Sequence, residues 1–140
     1  MASKFSTVYS SEIFEDDKTS VFLRGTKMDC GYDSRFFVDI RQFFAGMPSK
    51  NGVCLTIDEF KWLCDINGKN QTQKEMLKSA GKQICLRRMI GGFLIQTKVP
   101  CKLSSIWIPD SAITKIITLQ EEVIQYLENA MLGLAHPCNV

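Results

Sequence analysis

Seven basic residues crowd one stretch of the chain, Lys74, Lys78, Lys82, Arg87, Arg88, Lys98 and Lys102, with Glu75 the only acid from residue 74 to 102. A local balance of +6 over 29 residues suits capture of a polyanion, because each Lys or Arg that settles beside a phosphate releases a condensed counterion. A solvated polar face gives similar runs, so the charges need a second signal. Rings provide it. Along Arg35 to Phe44, the residues Phe37, Asp39, Arg41 and Phe43 share one side of a two-residue period, and Phe36, Val38, Ile40, Gln42 and Phe44 share the other. Cations interleaved with rings meet the needs of a single nucleic-acid strand, a basic track with planes for its bases, each stacked base contributing roughly 1–3 kcal/mol. The competing reading packs Phe37 and Phe43 under a helix or at a dimer seam.

Acid–base, nucleophilic and metal chemistry find few parts. The one histidine, His136, lies in Ala135-His136-Pro137-Cys138 at the C-terminal end, where chain ends fray. The six cysteines, Cys30, Cys54, Cys64, Cys85, Cys101 and Cys138, are irregularly spaced, and no two stand at the roughly two-to-four-residue interval of paired zinc ligands. They read as reduced thiols, with Cys54 and Cys64 in the core. Gly91-Gly92 is too short for a phosphate cradle, and Asp16-Asp17 and Glu121-Glu122 read as solvated acids. The expectation is a binding protein with no catalytic residue, no metal and no cofactor.

The 140 residues, 45% hydrophobic and 23% charged, suit one small domain with a real core and exclude a disordered tail or a disulfide miniprotein. The net charge of +2 conceals an asymmetry: residues 1–70 hold nine Lys/Arg against ten Asp/Glu, and residues 71–140 hold eight against five. No apolar run approaches the roughly 18 residues of a membrane span. Met1-Ala2-Ser3-Lys4-Phe5-Ser6-Thr7 lacks the apolar stretch of a secretory signal. The expected place is inside a cell, the nucleus before the cytoplasm.

The elements that must position these side chains follow from period and punctuation. Residues 1–20 read as a loose arm or an edge strand, and Ser20 to Met28 as a strand with a turn through Asp29-Cys30-Gly31-Tyr32-Asp33. Arg35 to Phe44 is the next strand, and Ala45 to Gly52, with its Gly, Pro and Asn-Gly, reads as an irregular loop before a short strand at Val53 to Thr56. Thr56 and Glu59 form a capping box that opens a helix near residue 57, with Ile57, Phe60, Leu63 and Cys64 at helical spacing and a stop near Asn67-Gly68. Lys69 to Lys82 is polar, with room for a helical turn. Ile84 to Ile90 and Phe93 to Val99 form a hairpin about Gly91-Gly92, pairing Met89 with Leu94, Arg87 with Gln96 and Cys85 with Lys98 on the wetter face. Leu103 to Ile108 is a further strand, after which Asp110 caps a helix of about 22 residues with the stripe Ile113, Ile116, Ile117, Val123, Ile124, Leu127, Ala130, Met131 and Leu134. A cap at Thr118-x-x-Glu121, with strand before it, is the alternative. Trp62 and Trp107 read as core.

Residues 20–66 and 84–132 therefore each give three strands and a helix. In the first copy, Phe36-Phe37-Val38-Asp39-Ile40-Arg41-Gln42-Phe43-Phe44, a Pro/Lys/Gly loop and then Lys50-Asn51-Gly52-Val53-Cys54-Leu55-Thr56-Ile57-Asp58-Glu59-Phe60-Lys61-Trp62-Leu63 resemble the carboxy-terminal domain of transcriptional coactivators of the positive cofactor four type. That family has a hydrophobic-Asp-Ile-Arg-Glu-aromatic strand, a basic glycine loop, a Gly-Ile-Ser-Leu strand and a helix opening near Glu-Gln-Trp. The match spans under a third of the chain, which runs on past the helix that normally closes the family's domain. The resemblance implies a curved antiparallel sheet backed by a helix, which in that family and in the related Whirly and Pur-alpha folds binds single-stranded DNA or RNA, usually as a dimer of such units. It carries the binding surface onto Arg24, Lys27, Phe37, Arg41, Phe43, Lys50 and Trp62, with Arg41 and Lys50 matching best.

The resulting expectation is an α+β fold of antiparallel curved sheets, each backed by a helix, as two β-β-β-α units in one chain. Residues 1–19 form an N-terminal arm, 20–132 the nucleic-acid-binding domain with units 20–68 and 82–132, and 133–140 a tail. The expected function is non-sequence-specific single-strand binding in transcription or replication through Arg24, Lys27, Phe37, Arg41, Phe43, Lys50, Arg87 and Lys98. The expected partners are single-stranded DNA or RNA, the transcription or replication machinery, and a second copy of the chain or, failing that, an intramolecular pairing of the two halves, because the Ile113 to Leu134 stripe is wide. The other class of function is a protein-interaction module that docks through that helix.

Overall fold

The computed structural model describes residues 4–30, 33–69, 74–79 and 81–133. The first run is β1 (Lys4–Asp16), β2 (Thr19–Cys30), β3 (Asp33–Phe44), β4 (Met47–Leu55) and α1 (Ile57–Lys69). The second is β5 (Lys74–Ser79), β6 (Lys82–Met89), β7 (Gly92–Val99), β8 (Lys102–Pro109) and α2 (Asp110–Met131). Each run of strands makes its own four-stranded antiparallel sheet in sequential order. The α+β expectation and the internal repeat are borne out, with four strands per unit where the sequence suggests three.

The added strands are edges. The polar N-terminal segment is β1, paired with β2 along its length and bulged at Thr7/Tyr9 and Glu12/Phe14, so the edge-strand reading holds over the arm. The second is β5, where Lys69 to Lys82 was expected to hold a helical turn. Lys74-Glu75-Met76-Leu77-Lys78 is made of good helix formers, yet β5 pairs with β6 from Lys74↔Arg87 to Ser79↔Lys82, so pairing overrides propensity. The loop expected over residues 45–52 is mostly β4, entered through a two-residue turn with Ala45 at φ 50° and Gly46 at φ 83°. Pro48 is tolerated because β4 lies at the edge of its sheet, and residues 49–51 bulge opposite Gln42, whose carbonyl accepts from Ser49 Oγ at 2.8 Å.

The hairpin of residues 84–99 forms, but its turn is Ile90-Gly91, with Met89 opposite Gly92, Arg87 opposite Leu94 and Cys85 opposite Gln96. The expected pairs are each two residues out, which keeps the paired side chains on their expected faces, while Ile90, expected to end the strand, stands fully exposed in the turn. Gly92 serves a close approach instead: a Cβ there would meet the Ile108 carbonyl and Trp107 Cζ2.

The core gathers one face of each sheet and both helices. Leu23, Val38, Ile40, Val53 and Leu55 of the first sheet join Ile84, Leu86, Ile95, Ile106 and Ile108 of the second, with Phe60, Leu63, Ile113, Ile116, Val123 and Leu127 from the helices. Helix α2 lies against β1, β2 and β3 of the other unit and also touches α1, β7 and β8. Tyr9 on β1 ties it down, its hydroxyl donating to Glu122 at 2.7 Å beside the Tyr126 ring. Ile113, Ile116, Val123 and Leu127 of the apolar stripe are thus covered within the chain, as an intramolecular pairing of the halves requires, while Met131 stays 47% exposed. Leu134 and the tail with His136 and Cys138 lie outside the described residues.

The capping box forms as expected. The Thr56 N–H donates to Glu59 Oε1 at 2.8 Å and the Glu59 N–H to Thr56 Oγ1 at 3.2 Å. The second unit adds a third partner, Lys82, whose ammonium donates to Glu59 Oε1 at 2.9 Å and to the Cys54 carbonyl at 2.7 Å. Asp110 is no cap: Pro109 is the N-cap without a side-chain bond, and Asp110 instead pairs with Arg88 at 2.6 and 3.1 Å.

Candidate nucleic-acid interface

Strand alternation sorts the basic stretch into two sets. Lys82 and Arg88 point to the core-facing side of the second sheet and are spent on Glu59 and Asp110. Lys74, Lys78, Arg87 and Lys98 stand exposed on the other side. The register aligns that outward face in cross-strand rows: Lys74, Arg87, Leu94 and Trp107; Met76, Cys85, Gln96 and Ser105; Lys78, Gln83, Lys98 and Leu103. None of these rows holds a carboxylate. Lys74 sits directly opposite Arg87, a like-charge pair that is unfavourable until an anion lies over it. Lys78 and Lys98 also line a groove of about 450 Å³ with Gln83, Val99 and Pro100.

Leu94, Trp107 and Leu103 give the β7–β8 half of the face its apolar surface, beside Lys98, Gln96 and Ser105. Trp107 is 46% exposed and Leu103 63%, so the core reading of Trp107 is corrected. Ile106 and Ile108 both bury, which turns the residue between them outward. The missing side chain of Gly92 leaves space at the indole. Trp62, by contrast, packs against the core from α1.

On the first sheet, Arg24, Phe37, Arg41 and Phe43 share the outward face, with Asp39 among them. Asp39 is 4% exposed, and two guanidiniums clamp it: Arg24 donates from Nε and Nη2 at 3.2 and 2.8 Å, Arg41 from Nε and Nη2 at 3.1 and 2.9 Å. Arg41 Nη1 also donates to the Ser49 carbonyl at 2.9 Å. Gly52 makes this possible, since a Cβ there would lie 2.7 Å from Arg41 Cζ. Phe43 is half-buried, its ring 4.8 Å from Phe22 and roofed by Arg24 at 5.3 Å. Phe37 is half-buried too.

The eight candidate residues thus separate. Arg87 and Lys98 lie on the second sheet, Arg24, Phe37, Arg41 and Phe43 on the first, and Lys50 is exposed on β4. Lys27 falls away from all of them. Opposite Phe36 rather than beside Arg24, it points to the α2 side, where it lines a cleft with Ala130 and Met131. Sequence reasoning missed Lys74 and Lys78 as members of one face, together with Trp107 and Leu103.

The thiols differ in surroundings. Cys64 is buried as expected, and burial pushes its thiol up to about 12. Cys54 is only partly covered, at the floor of the first sheet's outward face rather than in the core. Burial first, then the Asp39 charge, pushes it up to about 11. Cys101 is exposed. Iodoacetamide near pH 8 is therefore expected to label Cys101 well ahead of Cys54 and Cys64, because the thiolate is the reactive form. Equal labelling in a peptide map would contradict these surroundings.

No protein-family model matches the chain, and a search of the curated proteins gives no match. Among solved structures, the chain is similar to the plant transcriptional regulator PBF-2, with a TM-score of 0.50 at 10% sequence identity, over 94% of this chain and 86% of that one. The likeness is one of fold, and it extends over both four-strand units rather than the first alone.

Proposed function

We infer that the chain binds single-stranded nucleic acid without sequence preference, laying the strand over the outward face of the second sheet. The observation that carries this reading is the set of cross-strand rows in which Lys74, Lys78, Arg87 and Lys98 share a carboxylate-free face with an exposed Trp107. Four strands about 4.8 Å apart span about 14 Å, enough for phosphates over the cations of β5, β6 and β7 while bases reach Trp107 and Leu103 on β8. Phosphate contacts carry no sequence information, so the cations supply affinity without choosing a sequence. On the first sheet Lys50 is a further exposed cation, whereas Arg41 is held by Asp39 and the Ser49 carbonyl.

The fold likeness to a plant transcriptional regulator supports transcription as the setting, with the nucleus as the proposed compartment and binding, not catalysis, as the activity. The interaction-module reading keeps only Tyr126 and Met131 as large exposed apolar residues of α2, because Ile113, Ile116, Val123 and Leu127 are buried against the chain's own sheets.

Fluorescence anisotropy with a labelled strand of about 20 nucleotides, and with its duplex, at about 50 and 200 mM salt tests this reading. Four phosphate contacts at about −0.7 each predict a log–log salt slope near −3 for the single strand. The duplex is expected to bind more weakly, because its bases offer no free face to Trp107. Failure of the folded protein to retain the strand at the lower salt would overturn the proposal.

A further inference from the structure

Lys102 belongs to β8 of the second sheet, yet it lines a cavity of about 560 Å³ on the outward face of the first, together with Phe5, Arg24, Asp39, Arg41 and Pro48. Three cations face one carboxylate there, an excess of +2. Asp39 is already fully engaged by the two guanidiniums. Among the described residues, Arg24 bonds Asp39 through Nε and Nη2 and makes no hydrogen bond from Nη1, and Lys102 Nζ is in no hydrogen bond or ion pair. Phe5 is 59% exposed and offers a ring at the cavity wall. The volume suits one small ligand rather than a run of nucleotides.

We propose that this cavity holds a phosphomonoester attached to a nucleoside, with the phosphate on Arg24 and Lys102 and the base against Phe5 and Pro48. A phosphomonoester carries about −1.5 to −2 at pH 7, which matches the excess charge, whereas each diester inside a strand carries one. The chemistry has two sources, the phosphorylated end of a strand and a free nucleoside monophosphate. The first rests on the single-strand reading above; the second does not.

Strands of about 20 nucleotides ending in phosphate or in hydroxyl separate the sources, alongside adenosine 5′-monophosphate and adenosine followed by amide chemical shifts. The phosphate-ended strand is expected to bind wild type about fivefold more tightly, the roughly 0.7 decade of one further charge contact. Lys102→Glu is expected to erase that difference while the hydroxyl-ended strand still binds and the spectrum stays that of the folded protein. If strands bind alike whatever their ends, and the monophosphate shifts no amide around Phe5, Arg24 and Arg41, this inference falls while single-strand binding stands. If no strand binds, yet the monophosphate and not adenosine shifts those amides, the cavity assignment stands and the single-strand reading falls.

Discussion

Reversing Arg87 and Lys98 together to Glu is expected to weaken single-strand binding at least about 25-fold near 0.1 M salt. At that concentration each contact contributes about 0.7 decade, so the loss of two removes about 1.4 decades before any repulsion by the new carboxylates. The salt slope should fall from near −3 to about −1.4 in the same titration. Both side chains are exposed, and among the described residues neither is held in an ion pair, so the melting temperature should barely move. Lys27→Glu is the matched control, since that residue points to the α2 side of the first sheet. Weakening by Lys27→Glu half as large, on a logarithmic scale, as that by the double reversal, in proportion to the charge changed, would show a diffuse field rather than a face.

Trp107→Ala is expected to cost about 1–3 kcal/mol of binding, roughly 5- to 150-fold, and to leave the salt slope unchanged. The reasoning separates ring from charge: stacking releases no counterions, so only the intercept moves. Because Trp107 is 46% exposed and borders Gly92, its removal opens no core cavity. A large fall in melting temperature in place of lost affinity would mean that the indole serves packing. Phe43→Ala makes the contrast, because that ring already lies between Phe22 and Arg24 and is expected to show in stability before affinity.

The features readable from residue order were those with a local cause. Thr56 and Glu59 announce a helix because their reciprocal bonds close within one turn. The α2 stripe is legible over 22 residues because the helical period repeats often enough to exceed noise. Phe37, Asp39, Arg41 and Phe43 are legible as one face, as residues two apart on a strand share a face, but the engagement of Arg41 by Asp39, which takes up the guanidinium expected to meet phosphate, was not read from it. What stayed hidden depends on partners distant in sequence. Helix formers in Lys74 to Ser79 become strand only beside β6, and Pro48 sits within a strand only because β4 is an edge. Lys27 was grouped with Arg24 by motif, although three residues along a strand reverse the face. Trp107 carried a usable signal, its place between Ile106 and Ile108, which the habit of assigning tryptophan to the core outweighed.

Trp107 also reports directly on the proposed interface. The chain holds two tryptophans, and Trp62→Phe leaves Trp107 as the only indole. Emission of that variant, titrated with an unlabelled oligothymidine of about 20 nucleotides at low salt, should be quenched in a saturable way and recover as salt rises, following the anisotropy curve. Binding seen by anisotropy with Trp107 emission unchanged would place the strand elsewhere and contradict the account.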